Sequence, residues 1–179
     1  DGLSDTYAVF SSGKIRDRFT PTSLQAILQF MSENTDSYLV TDTKSFEYTT
    51  EQMLTQFKVL YDSTIFMPSL RDRIIIQIYN QDMYYKINEI YKYPNILYTL
   101  YLTPDSEKQV LEFVKKERIP VVVMPPERAN EAFVNNLNKL GVRIYLHTLN
   151  DLSDVKNWMT KGIWGVYTDS LLPNDFMTQ

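Results

Sequence analysis

The strongest constraint on the fold is an alternation that runs along most of the chain. Six short runs rich in β-branched and aromatic residues occur at 38–43, 74–79, 96–102, 120–124, 142–147 and 165–168. Each but the last is followed by a segment with helical periodicity, and after the first interval the runs begin 22–24 residues apart. That distance holds one strand, one helix and two short loops. Strands separated by helices join as parallel neighbours through crossovers rather than as hairpins. The expectation is an α/β domain, and two architectures satisfy it. One is a (β/α)8 barrel of the TIM type, incomplete, with about six strand–helix units present. The other is an open, doubly wound sheet. At 179 residues the chain is short beside the roughly 250 of a complete barrel.

Helix-start signals support the alternation. Thr22-x-x-Gln25 and Thr49-x-x-Gln52 read as capping boxes, in which hydroxyl and amide satisfy each other's orphan backbone N–H groups. Leu24, Ile27, Leu28 and Met31 then form one apolar face. Thr103-Pro104 is expected to open a helix carrying Val110, Leu111 and Val114, and Pro126 to open the next, closed by Gly141. Asn150 or Asp151 is expected to cap a helix with Leu152, Val155, Trp158 and Met159, closed by Gly162. No linker or low-complexity stretch divides the chain, so residues 1–179 read as one domain with 1–20 as an N-terminal extension. The start at Asp1-Gly2, without an initiator Met, suggests a piece of something longer.

Composition removes several functions. A net charge of -4 with scattered Lys and Arg gives nothing to track a phosphate backbone, so nucleic acid is not expected as a partner. The absence of cysteine excludes disulfides, thiolate nucleophiles and Cys-ligated metals. No stretch approaches the ~20 apolar residues of a membrane-spanning helix. Five glycines supply neither a dinucleotide fingerprint nor a P-loop.

In both architectures ligands sit at the carboxyl ends of the strands. In Val40-Thr41-Asp42-Thr43-Lys44, alternation places Asp42 and Lys44 on one face. A carboxylate beside an ammonium suits a metal-bridged anion, and equally a salt bridge at a barrel rim. Gln77 with Tyr79, and Thr99 with Tyr101, share faces of the next two strands; they suit a sugar or phosphate, or each other. Met124 reads as core. His147, the only histidine, ends its strand and can serve as base, metal ligand or hydrogen-bonded wall. A reaction that needs two histidines as acid and base cannot be completed by this chain alone. Asp169 ends the last run and orients a neighbour or, by preference, caps the following turn.

The last third carries a resemblance. Gly141-Val-Arg-Ile-Tyr-Leu-His-Thr-Leu-Asn150, a helix, and Lys161-Gly-Ile-Trp-Gly-Val-Tyr-Thr-Asp169 resemble the end of the glycerophosphodiester phosphodiesterases and the related phosphatidylinositol-specific phospholipase-like barrels. His147 stands in that family's usual Trp position, while Thr148, Asn150, Gly162, Gly165, Thr168 and Asp169 match its pattern. Upstream, Phe19-Thr-Pro-Thr-Ser-Leu-Gln-Ala-Ile-Leu28 is similar to the helix before the family's third strand, and Tyr38-Leu-Val-Thr-Asp-Thr-Lys44 to that strand, which usually ends Glu-x-Lys. The resemblance implies strands three to eight of the barrel. It implies Asp42 in place of a metal-binding Glu, one methylene shorter, and Lys44 as a phosphate contact. Gln77, Tyr79, Tyr101 and His147 would line the substrate pocket.

The same resemblance implies a parent that hydrolyses a small-molecule phosphodiester, either a glycerophosphodiester or a lipid headgroup. A divalent cation, calcium or magnesium, would assist two histidines as acid and base. The family's His-Arg, Glu-x-Asp and His-Asp motifs are not present here, so no turnover is expected from these 179 residues alone. The alternative is a non-catalytic, barrel-derived module that binds a sugar, lipid headgroup or protein. An unpaired edge on the first strand is expected to be covered by residues 1–20 or by a homo-oligomer.

Overall fold

The computed structural model describes residues 22–43 and 49–176. They belong to two compact units, one ending at Ser37 and the other beginning at Tyr38. In the first, α1 (Leu24–Glu33) buries Leu28 and Met31 from the expected apolar face. Its cap is Ser23 rather than Thr22: the Ser23 hydroxyl accepts from the Ala26 N–H at 3.2 Å. Gln25 therefore sits at the second helical position, one short of where a capping box needs it.

The second unit runs β1 (Leu39–Val40), α2 (Thr50–Thr64), α3 (Pro68–Arg71), β2 (Ile74–Ile78), α4 (Gln81–Ile90), β3 (Asn95–Thr99), α5 (Glu107–Glu117) and β4 (Val121–Met124). A 3-10 turn (Pro126–Arg128), α6 (Glu131–Lys139), β5 (Arg143–Leu146), α7 (Leu152–Thr160), β6 (Gly165–Val166) and a second 3-10 turn (Pro173–Phe176) complete it. All strand pairs are parallel, and their spatial order is the chain order, β1 to β6. A doubly wound sheet reverses its strand order at a switch point, and this sheet does not. Right-handed crossovers that always step the same way put every helix on one face. The architecture is therefore an incomplete barrel of six parallel strands with helices between them.

The two faces of the sheet differ sharply. Ile74, Ile76, Ile78, Tyr98, Leu100, Val122, Met124, Ile144 and Leu146 alternate onto the helix-covered face and are fully buried. The register aligns them, with Ile76 beside Ile96 and Val122 beside Ile144. Each such aliphatic side chain contributes about 1.5–3 kcal/mol on burial. Tyr98 meets Phe113 of α5 edge-on at 5.4 Å. The opposite face is buried at its centre, at Leu97, Thr99 and Val123, and opens toward its edges, where Ile75, Gln77, Tyr145 and Gly165 are part-buried and Val40 is exposed. Met124 is core, as expected.

The helix starts correct three expectations in detail. Thr49 and Gln52 form the expected capping box on α2. α5 is capped by Ser106 with Gln109 rather than by Thr103-Pro104. Thr103 is buried instead, its hydroxyl 3.1 Å from the Tyr98 hydroxyl, so it is unavailable as a cap. Pro126 opens only the 3-10 turn; α6 begins after Asn130, whose side chain accepts from the Phe133 N–H. Of the two candidates for α7, Asp151 is the cap, accepting from the N–H groups of Ser153 and Asp154. Gly141 (φ 75°) and Gly162 (φ 92°) close α6 and α7 in the left-handed conformation that favours glycine. No helix among the described residues is long and apolar enough to cross a membrane.

Candidate functional site

The carboxyl ends of β1 and β2 bring three expected residues together. Asp42 Oδ1 accepts from Gln77 Nε2 at 2.7 Å and from the Tyr79 hydroxyl, and Gln77 Nε2 lies 2.9 Å from the same hydroxyl. Alternation explains the pairing of Gln77 with Tyr79, and parallel register brings the end of β1 beside them. Thr41 supports the arrangement from the other face, its hydroxyl accepting the Gln77 N–H at 3.1 Å. Asp42 is exposed, Gln77 part-buried and Tyr79 buried. Lys44, the expected neighbour of Asp42, lies outside the described residues.

Across the sheet, Tyr101 and His147 form a second contact, ring centroids 5.5 Å apart and nearly perpendicular. Tyr101 is 56% exposed, so its face and hydroxyl are available to a ligand. His147 is half-buried, and its Nε2 is buried without a hydrogen-bond partner among the described residues. Burial pushes its pKa below the ordinary imidazole value, and the Glu127 charge opposes that only in part. His147 is therefore a neutral imidazole at neutral pH. Thr99, expected on the Tyr101 face, is buried.

The loop that presents Tyr101 is braced by a residue that no periodicity marks. Arg128, in the 3-10 turn after β4, donates Nη1–H to Leu100 O at 2.9 Å and to Thr103 O at 3.2 Å, and Nη2–H to Asp105 O at 2.7 Å. Beneath it the Tyr98 hydroxyl donates to Asp105 Oδ2 at 2.6 Å, and Gln81 Nε2 donates to the same oxygen at 2.8 Å. One guanidinium and one carboxylate thus fix residues 100–105.

The far edge is organised by Asn150. Its Oδ1 accepts from the Thr168 hydroxyl at 3.0 Å and from the Asp169 N–H at 2.8 Å, while Nδ2 reaches Asp169 Oδ2 at 3.4 Å. The preferred reading of Asp169 as a turn cap is corrected: Thr168 takes that role, accepting from the N–H groups of Ser170 and Leu171. Asp169 instead ties β6 to the loop after β5. Gly165 is required by close approach, since a Cβ there would stand 2.7 Å from the Tyr145 ring. Tyr167 follows on the same face, edge-on to Tyr145. Burial raises the Tyr167 pKa, and the charges of Tyr145 and Asp42 add to it. The Asp42 carboxylate is therefore felt at the opposite end of the strand series.

Whether these residues fit a divalent cation is answered at Asp42. Asp42 Oδ1 already faces an N–H and an O–H donor, which leaves Oδ2 as the oxygen a cation would meet without displacing them, a single carboxylate oxygen where a cation needs several. No group of three or more His, Asp or Glu among the described residues could hold a metal ion. The described residues do not fit a cation by themselves. What they do make is a hydrogen-bonded cluster of Asp42, Gln77 and Tyr79 at the ends of β1 and β2, and two aromatic pairs, Tyr101 with His147 and Tyr145 with Tyr167, on the later strands.

Neither a family model nor a curated protein sequence matches the chain. Solved structures do resemble it. One is assigned as a glycerophosphoryl diester phosphodiesterase from Silicibacter pomeroyi DSS-3, with TM-score 0.63 at 14% identity over 82% of this chain and 52% of that one. Another is a glycerophosphodiester phosphodiesterase from Parabacteroides distasonis ATCC 8503, with TM-score 0.63 at 14% identity over 86% of this chain and 61% of that one. A third, from Agrobacterium tumefaciens, has TM-score 0.57 at 11% identity over 80% and 59%. The chain spans just over half the length of these structures. At such identities the likeness establishes the barrel fold that the strand order already indicated.

Proposed function

We propose that this chain supplies the substrate-binding wall of a glycerophosphodiester-phosphodiesterase-type barrel, with a small phosphodiester as its ligand. Hydrolysis to an alcohol and a phosphomonoester would then belong to a longer protein that provides the acid, the base and the cation-binding groups. The observation behind this reading is the Asp42–Gln77–Tyr79 network, which stands at the strand ends where barrels of this type bind ligands. In it, the Gln77 amide N–H groups and the Tyr79 O–H hold one another and Asp42 Oδ1 in place, so that Asp42 Oδ2 and Gln77 Oε1 would accept from alcohol hydroxyls while Tyr101 with His147 packs against the organic part. Lys44 would meet phosphate charge.

A second reading is favoured by the state of Asp42 itself. A carboxylate oxygen committed to two protein donors suits a recognition surface without hydrolysis, for a sugar or a lipid headgroup. One experiment separates the two. The chain is titrated with glycerophosphocholine by calorimetry, with and without calcium or magnesium, and phosphomonoester release is then assayed on the longest coding form. Binding together with metal-dependent release supports the phosphodiesterase reading. Binding without release from the longest form supports the recognition module, and no binding refutes both.

A further inference from the structure

Among the described residues, Arg71 makes no ion pair with a carboxylate. It is the last residue of α3, away from the ligand-binding strand ends. Its guanidinium lies 4.4 Å from the Tyr91 ring centroid and 5.6 Å from that of Tyr61. The two rings stack on each other at 5.2 Å, and Tyr91 meets Tyr93 edge-on at 5.0 Å. The only acceptor for Arg71 among the described residues is Thr64 O, at a long 3.4 Å. Arg71 Nε is buried with no partner among the described residues, and so is the hydroxyl of Tyr93, a residue only 4% exposed. Burial raises the Tyr93 pKa to about 12, and the Arg71 charge acts against that rise, so the two groups sense one another.

Two buried, unpaired donors beside one aromatic ring are costly, since each lost hydrogen bond in the interior leaves a desolvated group. A guanidinium with spare donors, held over tyrosine rings, is suited to capturing oxyanions. We propose that Arg71 and Tyr93, walled by Tyr61 and Tyr91, form a binding site for a small oxyanion of the phosphate or carboxylate class. Arg71 as a residue is part-buried, and its solvent side is where an anion would enter. The site is independent of the strand-end rim: it uses α2, α3 and the segment before β3, and no residue of the proposed substrate wall.

The test is thermal unfolding in phosphate, sulfate and acetate against chloride at matched ionic strength. For the unaltered chain the midpoint should rise by roughly 3–5 °C at an oxyanion concentration about ten times Kd, with no rise in chloride. Tyr93→Phe keeps the ring and Arg71→Lys keeps the charge, and each should lose at least half of the rise. Tyr79→Phe, which breaks the strand-end network, should retain it, which separates this site from phosphate bound at the strand ends. Equal midpoints in all four salts would overturn the proposal and leave a bridging water as the partner of the two donors. A rise that survives in both Arg71→Lys and Tyr93→Phe would overturn it too.

Discussion

Replacing Arg128 with Met keeps the aliphatic stem but removes all donors, leaving three backbone carbonyls without partners. Hydrogen bonds from charged donors are worth about 1.5–3 kcal/mol each, but the three share one side chain and do not add. Leu100 is fully buried, so its carbonyl has no access to water once Arg128 is gone. Thr103 is nearly buried, whereas Asp105 is part-exposed and its carbonyl can be rehydrated. One fully lost acceptor and two partly lost ones give an expected destabilisation of about 3 kcal/mol. For a chain of this size that is a midpoint drop of roughly 6–12 °C. Urea unfolding followed by far-UV circular dichroism should show the lower midpoint at an unchanged slope. Because Arg128 fixes the loop carrying Tyr101, the ring contact between Tyr101 and His147 should also weaken, visible as a shift of the His147 ring resonances. Arg128→Lys keeps the charge but spans fewer carbonyls and should recover less than half of the loss. A destabilisation below about 1 kcal/mol, or a Tyr101–His147 contact that persists in Arg128→Met, would refute this account of the loop.

Tyr79→Phe removes one of the two donors on Asp42 Oδ1 and should weaken glycerophosphocholine binding about tenfold, roughly 1.4 kcal/mol, by calorimetry; unchanged affinity would remove the network from ligand binding. His147 has a folded-state pKa below its unfolded value of 6.5, so its contribution to stability is fully present above that value and is lost as pH falls through the folded pKa. Stability measured between pH 8 and pH 5 should therefore fall more steeply for the unaltered chain than for His147→Gln, and an imidazole titrating at or above 6.5 by NMR would contradict the burial argument. Asn150→Ala strips the Asp169 N–H and the Thr168 hydroxyl of their shared acceptor; because the site is exposed, the cost should stay near 1 kcal/mol, with faster amide exchange confined to residues 168–171.

The strands were legible because each is a short β-branched run between helical segments, and the period of two in Ile74–Ile78 reappears as alternating burial. Alternation alone did not separate the barrel from a doubly wound sheet, since both share it and differ only in spatial order; the family resemblance of the last third pointed to the incomplete barrel, and the strand order bears it out. Caps were legible where hydroxyl and Gln stand three apart directly before the helix, as at Thr49. They were misread where a nearer competitor existed, as Ser23 displaced Thr22, or where a tertiary contact claimed the hydroxyl, as Tyr98 claims Thr103. Arg128 had no signal, because its partners are carbonyls more than twenty residues upstream, and carbonyls leave no mark in a sequence.

Asp42 shows why a fold of this kind is easier to read than its chemistry. Position and alternation gave a carboxylate at a strand end, which is the geometry a cation site and a hydrogen-bonded rim have in common. The two differ in what faces the lone pairs, and that is decided by Gln77 and Tyr79, on the next strand and 35 and 37 residues away. At Oδ1 the alternatives exclude each other, since an O–H or N–H proton and a dication cannot occupy the same lone-pair direction. A cation bound there would have to turn the Tyr79 hydroxyl away and present the Gln77 amide by its oxygen. Tyr79 is buried, so moving its hydroxyl off Oδ1 breaks an interior hydrogen bond, whereas Oδ2 of the exposed Asp42 can be approached without that change. The identity of Asp42 therefore leaves the chemistry open, and which of its two oxygens a ligand meets decides whether the Tyr79 hydroxyl has to move.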